Sequence, residues 1–552
     1  MEKKDEEIRE RISNRKGSGS EENVEYNVHK ADSDLDDPDA GLSEEEKAEI
    51  DKKLVRKLDL RLIPWLCLLY LVSFLDRTNI GNAKIDGLQE DLGMTNGQYN
   101  ATLTIFFVSY SLLEPLTNVL LKKLRPSIFI PIIMIGWGIC MTCMGLVHNF
   151  SGLMAARWFL GVAEAGLFPG VSYYLSCWYR RMEFGIRMAI FFSAAAVAGS
   201  FGGLLAAAIA KMDDIGGKDG WAWIFILEGL ATVVIGAASF WMVYDFPDEA
   251  KFLSVDDRKR VIRRLAADQQ SSAEHEEFKM DYFWASVKDW KTYTSAVIYM
   301  GCDGSLYAFS LVNPSLYCRC FDGLLTKYLS NIRGTGYSST RAQLLSVPPY
   351  AVAAVLTIAV GYIADRTHQR GICNMVVSLF GIVGFSMLLG SQSPGVKYAG
   401  TFLGAMGIYP AISNTISWAS NNTEGREHLL YPDSRPIFSN ACPFKLKLAK
   451  QNPGVYKRGV TLGIVIGWGN LQGCVTSNIY RGDDKPEFYP GHGTVLAYLV
   501  LFQLGGSVVQ YIMLRRENAR RLRGDRDGWV EGLDAKQIEM RGDMRPDFIY
   551  TL

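Results

Sequence analysis

"RWFLGVAEAGLFPG", Arg157 to Gly170, is the stretch on which the reading of this chain turns. Most of its side chains are apolar enough for a membrane span, yet Arg157 and Glu164 stand seven residues apart inside it, beside Gly161, Gly166 and the pair Pro169-Gly170. In hydrocarbon a charged side chain costs about 3 kcal/mol or more unless it is paired or lines a cavity. Seven residues are about two helical turns, so both side chains lie near one face. That face is predicted to look into a helix bundle, with Glu164 as a group that exchanges a proton and Arg157 as its helper.

The rest of the chain supplies the bundle. Its 552 residues carry a net charge of zero, and 48% are apolar or aromatic. Runs of about 20 apolar residues, the length that crosses a bilayer, recur at 62–83, 99–121, 128–147, 152–175, 188–210, 223–244, 294–311, 346–364, 375–390, 398–418, 460–479 and 495–514. The fold class expected is therefore an all-α polytopic membrane protein with twelve transmembrane helices. A charged segment, "DEAKFLSVDDRKRVIRRLAADQQSSAEHEEF", divides them six and six, a plan common among secondary transporters. The parts expected are a disordered cytosolic tail at 1–53, a first half at 54–246, a central cytosolic loop at 247–291, a second half at 292–516 and a cytosolic tail at 517–552.

Orientation follows from the basic clusters. "RKLDLR", "KKLRP", "WYRRMEFGIR", "RKRVIRR", "ADRTHQR", "YKR" and "RRENARRLR" fall on one side if the spans alternate, while "KIDGLQEDLG", "KMDDIGGKDG" and "RGDDKPEFYPG" fall on the other. The positive-inside rule puts both termini in the cytosol. The balanced charge gives no reason to expect nucleic acid. The ten cysteines are scattered, with no C-x-x-C pair answering a second one, so no metal or redox motif is read. No nucleophile–base pair or phosphate loop points to an enzyme.

Other polar residues inside spans complete the candidate site. In "FLDRTNIGNA" Arg77 offers a planar fork of donors suited to a carboxylate, and Asn79 stands two residues on. The second half contributes Asp303, a further candidate for proton coupling, and Asn414, Trp418, Trp468 and Asn470, expected to shape the far wall of a polar pocket. Gly361, Asp365, Arg366 and Arg370 in "GYIADRTHQR" fit the spacing G-x-x-x-D-R-x-x-x-R. The matching loop after the second span, "NVLLKKLRPS", lacks the acidic residue.

That loop signature belongs to the major facilitator superfamily. "LDRTNIGNAKIDGL", "RWFLGVAEAGLFPGV", "STRAQLLSVPPYAVA" and "KRGVTLGIVIGWGNLQG" make the chain from about Leu54 to Arg520 resemble the fungal anion:cation symporters, such as the allantoate and nicotinic acid permeases. The resemblance implies a major facilitator fold and proton-coupled import of a small organic anion at the plasma membrane. It places Arg77 where distant relatives hold a substrate-binding arginine, and Glu164 where they hold a conformationally important carboxylate. No cofactor is expected beyond the coupling proton, and no protein partner is read. The partners are an organic anion and the lipid bilayer. Two alternatives stand beside this reading: a nutrient-sensing receptor of the same fold with little flux, and an inactive chain. The second arises because 312–333 and 426–454 interrupt the resemblance with the length and composition of retained introns.

Overall fold

The computed structural model describes residues 42–267, 280–325, 338–423, 454–480, 488–533 and 542–552, together with Asp39. The chain divides into two units, Met1–Lys52 and Lys53–Leu552. In the first, Ser43 and Glu46 form a reciprocal cap: the Glu46 carboxylate accepts from the Ser43 N–H at 2.9 Å, and the Ser43 hydroxyl accepts from the Glu46 N–H at 3.3 Å. Such a cap satisfies two donors that a helix start leaves open.

Every regular element among the described residues is helical. The first half runs α1 (Glu44–Ile85), α2 (Asn96–Leu124), α3 (Pro126–Met144), α4 (Phe150–Glu164), α5 (Leu167–Ser176), α6 (Arg181–Ile209) and α7 (Gly220–Met242). Two shorter helices, α8 (Val255–Ala267) and α9 (Met280–Val287), lie between the halves. The second half runs α10 (Trp290–Leu325), α11 (Ser338–Thr367), α12 (Arg370–Gly390), α13 (Pro394–Asn421), α14 (Gly454–Asn470), α15 (Gln472–Thr476), α16 (Tyr489–Ala497) and, after a π-helical stretch at Tyr498–Leu504, α17 (Gly505–Leu522). The fourth span is α4 with α5, the eleventh α14 with α15, and the twelfth runs from α16 to α17.

Seven of these spans are by length and hydropathy alone apolar enough to cross a membrane. The five that fall short are the second, fourth, seventh, tenth and eleventh. Two are broken helices, and all five bring polar or aromatic groups to where the halves meet. The spans that stay apolar include α3, α7 and α12, whose outer faces expose Ile132, Ile139, Val234, Trp241, Leu379 and Val383. Lipid covers such faces; buried polar groups must find partners inside the bundle.

The halves touch at both ends of the bundle. At the cytosolic end Asp365 on α11 accepts from the Ile186 N–H on α6 at 2.7 Å, and Gly459 packs on the Tyr173 ring. At the outer end the Thr104 and Ser477 hydroxyls lie 3.3 Å apart. Of the two interrupting stretches, the first begins within α10, which continues as helix to Leu325. Residues 326–333 and 426–453 lie outside the described residues.

Candidate functional site

Span four is broken where its sequence predicts a bend, and the break has an identifiable cause. Pro169 has no N–H to give to the Ala165 carbonyl four residues back; the Thr117 hydroxyl takes up that carbonyl at 3.5 Å. Helix α4 therefore ends on Glu164 and α5 begins at Leu167. Gly161 lets α4 lie against α2: a Cβ there would come 2.5 Å from the Phe106 carbonyl and collide with the Ser109 side chain. This close approach carries Glu164 into the bundle beside α1.

There Glu164 meets Arg77. Its Oε1 accepts from Arg77 Nη2 at 2.7 Å and from the Ser73 hydroxyl at 2.6 Å, while Oε2 has no hydrogen-bond partner. Ser73 and Arg77 are one helical turn apart on α1, which is why both reach the same carboxylate. The other arm of Arg77 crosses between the halves: Nη1 donates to the Tyr307 hydroxyl at 2.6 Å. That hydroxyl donates to Asn470 Oδ1 at 2.6 Å, and Asn470 Nδ2 donates to Glu114 Oε2 at 3.2 Å. A chain of hydrogen bonds thus runs from Ser73 to Glu114 through five spans. The guanidinium also lies over the Tyr110 and Phe106 rings, at 5.0 and 5.4 Å from their centroids.

On the outer side of this layer is a small pocket lined by Arg77, Arg157, Phe106, Phe107, Tyr307 and Ser310 among others. Two guanidinium groups, aromatic faces and a phenol suit a small planar anion: charge and fork geometry hold the carboxylate, and the rings hold its body. Among the described residues no three His, Cys, Asp or Glu side chains are grouped to hold a metal ion.

The structure brings together Arg77, Glu164, Arg157 and Asn470, with Asp303 one helical turn from Tyr307 on α10. Asp303 is buried and its Oδ2 has no hydrogen-bond partner. Arg157 is also buried, over the Phe106 ring at 5.6 Å, but makes no hydrogen bond to Glu164. The hydrogen-bonded partner of Glu164 is Arg77.

Four other candidates sit elsewhere. Asn79 turns into the first half, where its Nδ2 donates to Glu228 Oε2 at 2.5 Å. Asn414 lies at the cytosolic end, its Nδ2 shared between the Arg370 carbonyl and Asn374 Oδ1, both at 2.8 Å. Trp418 is fully buried one turn further along α13 and donates to the Thr551 carbonyl at 2.9 Å. Trp468 is half exposed on the outer surface of α14. None of these four forms a wall opposite Arg77. The loop residues hold the halves at the cytosolic end: Asp365 pairs with Arg370 as well as with the Ile186 N–H, Gly361 packs on Ala189, and Arg366 reaches out to the Tyr362 hydroxyl at 2.8 Å.

Three buried carboxylates were not chosen from the sequence as site residues. Glu114 joins the central chain, with Oε1 unpartnered. Asp76 and Glu228 form a second group in the first half: Asp76 Oδ2 accepts from Trp137 Nε1 at 3.0 Å and from the Thr232 hydroxyl at 2.8 Å. The signal was available, since "SYSLLEPL" and "WIFILEGLA" each place one acid inside an apolar run and the cost of a charge in lipid applies to both.

A twelve-span bundle in two halves, joined through a buried arginine beside a polar pocket, defines a membrane solute carrier. Residues 66–429 match the Major Facilitator Superfamily, and the chain belongs to that family. It is 33% identical over 476 residues to an uncharacterised transporter of Schizosaccharomyces pombe, covering 86% of each chain. To the MFS-type transporter cnsO of Penicillium expansum it is 32% identical over 502 residues, covering 89% of this chain and 87% of that one. To the high-affinity nicotinic acid transporter of Saccharomyces cerevisiae it is 30% identical over 484 residues, covering 86% and 79%. The protein is a multi-pass membrane transporter and not an enzyme.

Proposed function

We propose that this transporter imports a small organic carboxylate, of the size of nicotinate or allantoate, together with protons across the plasma membrane. The observation that carries the reading is the buried Arg77–Glu164 pair at 2.7 Å on the edge of the cavity. Glu164 occupies the guanidinium as a substrate carboxylate would. An entering anion competes for the same fork, and the Glu164 carboxylate it displaces from Arg77 is the group that takes the coupling proton. Proton uptake and anion binding are then linked at one residue. Arg157 adds a second positive charge to the cavity, and Asp303 and Glu114 are further groups on which a proton can rest. Alternating access would rock one half against the other around this layer. Kinship with a nicotinic acid transporter supports the substrate class.

The test is binding to the purified chain in nanodiscs. Nicotinate or allantoate should raise the melting temperature of the wild type and leave Arg77→Ala unmoved. Equal stabilisation of both proteins by either acid would remove Arg77 from the binding role.

A further inference from the structure

Residues 542–552 fold back onto the cytosolic end of the second half and are bolted there. Asp543 is completely buried: its carboxylate accepts from Lys291 Nζ at 2.8 Å and from Lys457 Nζ at 2.8 and 2.9 Å. Lys291 opens α10 and Lys457 lies in the first turn of α14, so one carboxylate ties the cytosolic ends of two spans. Arg521 on α17 donates to the carbonyls of Asp543, Arg545 and Phe548 at 3.0, 3.0 and 2.6 Å. Asn518 pairs with both backbone groups of Tyr550. Asn422 does the same for Thr551, whose carbonyl also accepts from Trp418 Nε1. The Gly371 N–H, at the start of α12, donates to the Leu552 carbonyl at 3.2 Å. Trp418, which stands away from the solute pocket, thus serves as a donor to this segment.

One side chain of the segment reaches the other half. Phe548 is buried, and the guanidinium of Arg181, the first residue of α6, lies over its ring at 4.5 Å from the centroid. Five residues further along α6, the Ile186 N–H makes the contact with Asp365 that closes the cytosolic end. Opening that end requires the start of α6 to part from the second half. Phe548 stays with the second half, so its contact with Arg181 is lost.

We propose that residues 543–552 act as a clasp on the cytosolic gate, anchored to the second half through Asp543 and holding the closed conformation through Phe548 against Arg181. The anchor is rigid because removing the carboxylate would leave Lys291 and Lys457 facing each other across a single described carboxylate, Asp289, at 3.1 and 2.9 Å. The reach is weak because one cation–π contact shifts an equilibrium only a few-fold. A clasp of this kind sets how often the gate opens without touching the solute site, and it holds whichever solute is carried.

Lys251 and Arg516 are exposed at the cytosolic ends of the two halves. Spin labels introduced there as unnatural amino acids in the full chain, in nanodiscs, report gate opening by pulsed electron resonance. Phe548→Ala should raise the long-distance, cytosol-open fraction about threefold, and deleting 543–552 should raise it at least as much. Asp543→Asn should follow the deletion; should that variant fail to fold, Phe548→Ala still decides, because it leaves the buried ion network untouched. An unchanged distance distribution in both Phe548→Ala and the deletion would overturn the proposal.

Discussion

Arg77 is bound on both arms, to Glu164 in its own half and to Tyr307 in the other. Removing one member of a buried ion pair costs about 3–5 kcal/mol, mostly because the other charge is left without a partner. Arg77→Ala should therefore lower the melting temperature of the purified chain as well as abolish uptake. Adding Glu164→Gln to Arg77→Ala should recover part of the stability and none of the uptake, which separates the structural share of the pair from its binding share. Glu114→Leu leaves Asn470 Nδ2 without its acceptor and should cost about 1–3 kcal/mol, read from the midpoint of denaturant unfolding. Glu114→Gln keeps an acceptor there and should unfold near the wild-type midpoint. Arg77 and Glu164 were legible because each is conspicuous in a motif, whereas Glu114 needed the same cost argument applied evenly along every span. Asn414 and Trp418 stand one helical turn apart on α13 and share a face, but spacing says nothing of how deep that face lies. Their face covers Arg370 and the carbonyl of Thr551.

At the scale of the element, span four shows how sequence becomes geometry. Pro169 withholds one donor, the helix breaks at Ala165–Gly166, and Glu164 ends the first segment. Gly161 sets the distance to α2. A Gly161→Leu side chain would meet the Phe106 carbonyl and the Ser109 hydroxyl, of which only the hydroxyl can turn aside. Overpacking of this kind costs about 1–3 kcal/mol or more and would also move Glu164 away from Arg77. The expected outcome is a chain with a lower melting temperature and no acid-stimulated uptake; near-normal values of both would show that α4 and α2 can separate freely. Hydropathy alone marks seven of the spans, and the other five are read as shorter or more polar apolar runs between them. It could not place the break in span eleven, which falls after Asn470 in a "GWGNLQG" run without proline. It also could not show α1 beginning as early as Glu44, because that charged extension lies before the apolar run.

Over the whole molecule, the cytosolic end carries the Asp365 loop, the packing of Gly459 on Tyr173 and the folded-back segment 542–552. Burial alone would raise the Asp543 carboxyl, but the Lys291 and Lys457 ammonium groups outweigh it and bring it to about 2, below the ordinary value of 3.8. A carboxyl depressed in the folded state stabilises fully above its unfolded value and loses that contribution as pH falls through the folded one. The segment should therefore stay seated when the cytosol acidifies to about pH 6, and its resistance to protease should weaken only below about pH 4. Loss of protection between about pH 8 and 6 would show that another group governs the anchor. None of this was legible in the sequence: Lys291, Lys457 and Asp543 come from three distant stretches, and no local period links them.

Coupling between anion and proton, on the proposed reading, lies at Glu164. It is tested most directly by measuring uptake of labelled nicotinate and allantoate against external pH, in cells lacking their own carriers, for the wild type and Glu164→Gln. Wild-type uptake of at least one acid should rise steeply as the medium is acidified, and the Glu164→Gln rate should no longer vary with pH. An unchanged acid dependence in Glu164→Gln would contradict it.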